Sequence, residues 1–103
     1  MRPSNDKEAV TLILDGLVAA GYTVVETADD TWNKDERVPT PTVGEAVDAV
    51  MAVDEAFVIL RTPDSDETNA WIFFVMGNDP EEVAANYTVN LDPTLSNTTD
   101  LWS

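Results

Sequence analysis

The side chains of this chain that could do chemistry are almost all carboxylates. The sequence has 20 acidic and 5 basic residues, no histidine and no cysteine, for a net charge of −15. The chain therefore lacks the commonest general base, the commonest metal ligand and any thiol nucleophile. What remains for its carboxylates is to act as a charged surface, as cation ligands or as an acid–base pair.

The best candidate cation ligands are Asp64, Asp66 and Glu67, which begin with the D-x-D spacing of a calcium-binding loop. The rest of that pattern is absent, because Asn69 stands where such a loop has glycine and Val75 stands where it has the closing glutamate. The sequence thus predicts a solvated loop and no metal site here. The same holds for a second acidic group, formed by Asp29, Asp30, Asp35 and Glu36.

Catalysis is not indicated either. The serines and threonines have no histidine to activate them, and the four glycines are scattered and do not form a phosphate-binding loop. We therefore predict a protein that is not an enzyme and that uses no cofactor. Five dispersed bases cannot make a basic patch, so direct nucleic-acid binding is not expected.

The charge is the outlying feature of the composition. A globule of 103 residues is roughly 30 Å across, and duplex DNA carries roughly 18 charges over that length, a density comparable to a net charge of −15. Such a field repels nucleic acid and acidic membranes and attracts basic partners. The charge could therefore imitate phosphates. It could also serve solubility alone, as in high-salt or high-GC organisms, which the two lysines and twelve aspartates fit.

These acids must be positioned by a small sheet, whose centre is predicted at residues 56–77. Two runs rich in β-branched and aromatic residues, AFVILR and AWIFFV, flank a polar connection and predict an antiparallel hairpin. Both runs are apolar on both faces, so both faces should be covered. Helices can cover one face. The other needs the C-terminal segment or a second copy of the chain, and an uncovered face would be an association surface.

Helices are predicted from capping residues and apolar spacing. Asn5 and Glu8 begin one over residues 5–20, with Gly21 as its stop, and Thr42 and Glu45 begin another that ends at Val53. Residues 22–26 read as a strand, and the D-P-E-E sequence after Gly77 predicts a third helix from Asp79 to about Tyr87. The fold class is thus one α+β domain over residues 1–103, in the order α-β-α-β-β-α, with a three-stranded sheet and the helices on one face.

Two segments leave alternatives open. Residues 27–41 read as a long polar loop, in which Trp32 is either an exposed anchor or a ring folded onto the core edge. Residues 88–103 are either a loose tail or a strap that lays Leu91, Leu95, Leu101 and Trp102 across the sheet. The polar N-terminus has no signal-peptide character and no run reaches membrane-spanning length, so we expect a soluble, cytoplasmic protein.

The segment Trp71–Leu91, WIFFVMGNDPEEVAANYTVNL, resembles a stretch of small uncharacterised phage and mobile-element proteins. In those proteins an apolar strand runs into G-N-x-P-x-E-V and then into x-Y-T-x-N-L. The resemblance covers about a fifth of the chain and brings no binding residues with it. It implies a phage-encoded accessory protein in the host cytoplasm. Small acidic phage proteins are often inhibitors of host defence, and some of them occupy the DNA channel of a nuclease or restriction enzyme.

The sequence leads to two functional hypotheses. In the first, the chain is an inhibitor whose acids bind the basic groove of a nucleic-acid-binding protein. In the second, it is a structural module that homodimerises through an apolar sheet face, and its acidity serves solubility. The predicted partner-binding residues of the first hypothesis are Asp29, Asp30, Trp32, Asp35, Glu36, Asp48, Asp54, Glu55, Asp64, Asp66 and Glu67.

Overall fold

A computed structural model describes residues 3–29, 38–53, 55–63, 70–77, 83–88, 91 and 93–95. In these ranges two helices, α1 (Asp6–Ala19) and α2 (Val43–Val53), pack on a sheet of five strands. The strands are β1 (Thr23–Asp29), β2 (Val38–Pro39), β3 (Glu55–Arg61), β4 (Ala70–Val75) and β5 (Ala84–Tyr87). All pairs are antiparallel, and the order across the sheet is β2-β1-β3-β4-β5. The α+β class is confirmed, but the sheet has five strands where three were predicted.

The predicted hairpin is the centre of this sheet. Phe57 lies opposite Phe73 and Ile59 opposite Trp71, so these four side chains share one face. The alternate residues of β3 and β4 form the other face and are fully buried against the helices. They are Ala56, Val58, Leu60, Ala70, Ile72 and Phe74. We call this the inner face and the Phe57–Trp71 side the outer face.

The additional strands extend the sheet at both edges. The predicted loop 27–41 begins too early, because Thr27 to Asp29 continue β1, and Val38 and Pro39 form β2 beside it. The predicted helix from Asp79 to Tyr87 is wrong over its second half, where Ala84–Tyr87 pairs with β4 as β5. The capping signals at residues 79–82 are local and carry no information about the free edge of β4. Residues 79–82 themselves lie outside the described part of the chain.

Helices α1 and α2 begin where their capping residues indicate, and α1 also ends at its predicted stop. Asn5 Oδ1 accepts from the Glu8 N–H at 2.8 Å, and Thr42 Oγ1 accepts from the Glu45 N–H at 3.2 Å. At the end of α1, the Gly21 N–H donates to Val18 O and the Tyr22 N–H to Leu17 O. This pair of bonds is a Schellman motif, and Gly21 supplies its positive φ of 103°. No helix in the described ranges is both long and apolar enough to cross a membrane.

The start of the C-terminal segment joins the inner core. Leu91 is fully buried and Leu95 is 5% exposed, and both belong to the cluster that α1, α2 and the inner face enclose. One prediction for this segment was a strap across the other face of the sheet. Leu91 and Leu95 do not form that strap, because both lie in the inner core. Leu101 and Trp102 lie outside the described residues.

A buried hydroxyl pair joins β1 to the segment that leads into α2. Thr27 Oγ1 and Thr40 Oγ1 lie 2.9 Å apart, at 4% and 2% exposure. The Thr40 N–H also donates to Val25 O at 3.0 Å. Each hydroxyl satisfies the other in a site without access to water, so the pair fixes where the chain turns from β2 into α2.

Gly21→Ala should destabilise the fold by roughly 1–3 kcal/mol, because alanine is strained at positive φ and its Cβ would lie 3.1 Å from Pro63. Gly44→Ala is the matched control. Gly44 lies in the first turn of α2, where an added methyl group would meet open space, so this change should stabilise by about 0.5–1 kcal/mol. Urea denaturation measures both free energies of unfolding. Equal effects of the two substitutions would contradict the role given to Gly21.

Thr27→Val or Thr40→Val alone should cost about 1–3 kcal/mol, because each leaves the other hydroxyl buried without its partner. The double variant should cost less than the sum of the two, since it removes both hydroxyls together. A double-mutant cycle of urea denaturation midpoints gives the coupling. Additive costs would show that the two hydroxyls do not depend on each other.

Candidate interaction surfaces

The connections from β1 to β2 and from β4 to β5 begin and end at the same end of the sheet. β1 ends at Asp29, which lies opposite Ala56 near the start of β3. The connection from Asp29 to Val38 therefore leaves the sheet and returns to it at this end. The connection from Gly77 to Val83 is anchored at the same end, where the Val75 N–H donates to Val83 O. We call this region the acidic end. The acids on it or in the connections anchored there are Asp6, Asp29, Asp30, Asp35, Glu36, Asp54, Glu55, Asp79, Glu81 and Glu82.

Asp6 belongs to the acidic end through a contact that sequence spacing does not reveal. It is the first residue of α1, and its Oδ2 accepts the Gly77 N–H at 3.0 Å across 71 residues of chain. This bond fixes the start of α1 to the end of β4. No local signal in the sequence shows which loop the helix start will meet.

The predicted partner-binding residues divide between the two ends of the sheet. Glu55 is exposed at the start of β3, and Asp29 is the last residue of β1. The connection that carries Asp64, Asp66 and Glu67 is instead anchored by Pro63 and Ala70, at the opposite end of β3. Seven strand residues separate the ends by roughly 20 Å.

The remaining predicted residues are placed only in part. Asp48 is exposed on α2, on the helix layer and away from the outer face. Eight residues of the set lie outside the described part of the chain, and their positions stay predictions: Asp30, Trp32, Asp35, Glu36, Asp54, Asp64, Asp66 and Glu67. In the ranges that the structure describes, no three acidic side chains converge on a point where they could hold a metal ion.

The outer face is the second candidate surface, and sequence analysis also points to it. Phe57 stacks on Phe73, with ring centroids 4.5 Å apart, and meets Trp71 edge-on at 5.4 Å. These three rings are half-buried, as is Val75 beside them, while Ile59 is only 3% exposed. Neither α1 nor α2 reaches this face, because both pack on the inner core. On this face Glu26 of β1 lies opposite Ile59, and Ala28, opposite Phe57, is 1% exposed, so the apolar residues of β3 and β4 adjoin an acid and are in part already buried.

Arg61 is the residue of the outer face that sequence analysis did not single out. It is half-buried at the end of β3, and its Nε is buried with no hydrogen-bond partner among the described residues. The neighbouring Thr62 Oγ1 is likewise buried and unpaired within those ranges. A buried donor with no acceptor costs free energy, more so in a charged group. The sequence signal for this site is an arginine at the end of an otherwise apolar strand.

A small groove lies between the end of α1, the start of β1 and the start of α2. It encloses about 200 Å³, and Val18, Tyr22, Val24 and Val43 are among its lining residues. No charged side chain of the described residues lines it. The groove could take a small apolar group, but it brings no acid–base pair of that part of the chain together.

No family model, curated protein or solved structure matches this chain. The likeness of Trp71–Leu91 to phage proteins therefore stays a prediction. The function is therefore inferred from the surfaces of the described residues.

Asp6→Ala should destabilise the fold by about 0.5–1.5 kcal/mol, because it removes the acceptor of the Gly77 N–H. Asp6→Asn should cost less, since its amide oxygen can still accept that bond. Urea denaturation measures the free energy of unfolding, and amide exchange at Gly77 reports the bond directly. Asp15→Ala, on the exposed side of the same helix, is the control and should change neither quantity. If Gly77 exchanged equally fast in the parent and in Asp6→Ala, the bond would not fix this end.

Proposed function

We propose that this protein is a non-enzymatic acidic interaction protein that binds the basic groove of a nucleic-acid-binding protein. The observation that carries the proposal is the charge density. The net charge is −15 and the longest dimension of the molecule is 37 Å, a length over which duplex DNA carries roughly 22 charges. The protein thus offers about two thirds of the charge of the DNA that it would replace.

The distribution of the acids supports binding along a groove. Ten of the 20 acids belong in sequence to the acidic end or its connections, and three more belong to the connection between β3 and β4, so we expect acids at both ends of the sheet. A cleft that normally holds DNA presents lysines and arginines along its length, and it can engage both groups at once. Electrostatic steering then gives fast association, and the complex weakens steeply with salt.

The phage resemblance suggests a setting for this activity. A phage-encoded protein of this charge would act in the host cytoplasm as an inhibitor of a defence nuclease or a related DNA-binding protein. The inhibitor needs no catalytic group and no cofactor, since occupying the groove is sufficient.

A second candidate function is favoured by the outer face. This face carries three half-buried rings, and neither α1 nor α2 packs on it. A structural module that homodimerises would use such a surface. In that case the acidity keeps the chain soluble. The two functions use different surfaces, so one chain could perform both.

Charge neutralisation at the acidic end should weaken partner binding at least about tenfold, because several desolvated charge pairs are lost. The variant carries Asp29→Asn, Asp30→Asn and Glu55→Gln. Its matched control carries three neutral substitutions at exposed helix positions: Asp15→Asn, Glu45→Gln and Asp48→Asn. Tagged proteins are used to capture partners from host lysate across a salt series, and captured proteins are then eluted with duplex DNA.

The expected result is a nucleic-acid-binding protein that is held at low salt, is displaced by DNA and is lost selectively from the acidic-end variant. Equal loss from the control would mean that only the total charge matters. If DNA displaced no captured protein at any salt concentration, the proposal would be wrong.

A further inference from the structure

The groove at the end of α1 combines an uncharged lining with a strongly acidic setting. It encloses about 200 Å³ between the last turn of α1, the start of β1 and the start of α2. Its described lining is apolar except for the hydroxyl groups of Tyr22, Thr23 and Thr42. Val18 lines the groove and is 44% exposed, so a ligand can reach the groove from solvent.

Each of the two helices brings a carboxylate beside this groove. Asp15 is exposed on α1, three residues before Val18, and residues three apart on a helix are neighbours on its surface. Glu45 is exposed in the first turn of α2, and its N–H donates to Oγ1 of the groove residue Thr42 at 3.2 Å. Neither acid belongs to the lining itself. The carboxylates therefore flank an apolar interior.

The helix ends add to this negative charge. The C-terminal end of α1 carries a partial negative charge, and the last turn of α1 has no basic residue to offset it. The first turn of α2 carries the opposite partial charge, but Glu45 lies in that turn and offsets it. Arg61 lies opposite Thr23 in the sheet but does not line the groove. With a net charge of −15 on the whole chain, the potential at the groove is negative.

We propose that this groove binds a small organic cation, in which an ammonium group is attached to a compact apolar body. The apolar body fills the uncharged lining, and the ammonium group stays at the opening beside the carboxylates, where it remains partly hydrated. Lysine side chains at protein surfaces divide in the same way between apolar contact and water. Tyr22 adds an aromatic ring to the lining, and such rings attract organic cations.

The size and charge of the groove limit the ligand further. A volume of about 200 Å³ is below the several hundred Å³ of a drug-sized site, so the ligand must be compact. An anion of the same shape is repelled by the negative potential. A neutral molecule of that shape gains the apolar contact alone. The groove should therefore rank ligands of equal shape by their charge.

Three probes of nearly equal shape test this ranking: benzylammonium, benzyl alcohol and benzoate. Methyl chemical shifts of Val18, Val24 and Val43 report binding, in about 0.15 M salt to screen the general field of the chain. Benzylammonium should bind with a dissociation constant on the order of 1 mM, as expected for so small a ligand. Benzyl alcohol should bind about threefold more weakly, and benzoate at least about tenfold more weakly.

Val18→Lys tests the location of the site. The new side chain lays its own aliphatic stem and ammonium group at the groove, so it should abolish the binding of both benzylammonium and benzyl alcohol. Val53→Lys is the matched control, because Val53 is 50% exposed at the end of α2 and the change in charge is the same. The control should bind both probes like the parent. Circular dichroism checks the fold of each variant.

A pair of double variants tests the role of the flanking acids. Asp15→Asn/Glu45→Gln should weaken benzylammonium binding about threefold and leave benzyl alcohol binding unchanged. Asp29→Asn/Glu55→Gln removes the same charge at the acidic end, away from the groove, and should change neither. These variants test the charge preference even if Val18→Lys fails to fold.

Three results would each overturn the proposal. The first is equal affinity for the three probes, which would show that charge has no part in the site. The second is a set of shifts as large at Ala85 and Asn86, exposed on β5 at the far edge of the sheet, which would show only general attraction to an acidic surface. The third is the lack of any shift at the groove valines up to about 10 mM benzylammonium. None of these results bears on binding to a basic groove, which is measured by partner capture.

Discussion

Strand β3 imposes the constraint on which the rest of the molecule depends, because it is apolar on both faces. Its inner residues, Ala56, Val58 and Leu60, are fully buried, and they require a layer of helices above them. The two long helices of the described ranges, α1 and α2, are both used on that face. Burial of the inner residues, at about 25 cal/mol per Å² of apolar surface, thus fixes the whole α layer.

The helix layer also attracts the start of the C-terminal segment. Leu91 and Leu95 close the inner core where α1 and α2 leave space near β4 and β5. They gain more there than on the outer face, since the inner site is enclosed on all sides and dispersion contacts are greatest in enclosed sites. The outer face is then left to aromatic residues, which tolerate half-burial better than aliphatic ones because their rings shield one another.

The edges of the sheet show that association by strand addition is blocked. At one edge β2 has two residues, and the second is Pro39, which has no N–H to donate. At the other edge the Tyr87 N–H is occupied by Asn86 Oδ1 at 2.9 Å. Pro39 and the occupied Tyr87 N–H thus each remove one backbone donor that strand addition would use at these edges.

How much of this fold could be predicted depended on the range of the interactions. The hairpin, both helix starts and the Gly21 stop follow from neighbours within a few residues, and the structure confirms them. Strand β5 could not be found in this way. The sequence Ala84–Tyr87 has good helix formers and a capping signal before it, but β4 has an edge to fill, and pairing there satisfies more backbone groups than one helical turn would.

The same limit applies to the candidate sites, where local features could be predicted and contacts between distant segments could not. Sequence placed acids in loops and apolar residues on an outer sheet face, since composition and alternation are local properties. It could not show that Asp6 meets Gly77, that the loop acids belong to opposite ends of the sheet, or that Arg61 Nε is buried without a partner in the described part of the chain. Each of these facts arises only when segments distant in sequence pack together.

The two surfaces place opposite demands on the charge of the chain. A net charge of −15 favours a basic partner but works against a second copy, because the two copies repel at every separation within a Debye length. On the outer face Glu26 lies opposite Ile59, so an acid adds to this repulsion where two copies would touch. Arg61 is one of only five bases in the chain, and a guanidinium whose Nε is buried adds little to solubility, so its position at the end of β3 does not follow from the acidic composition.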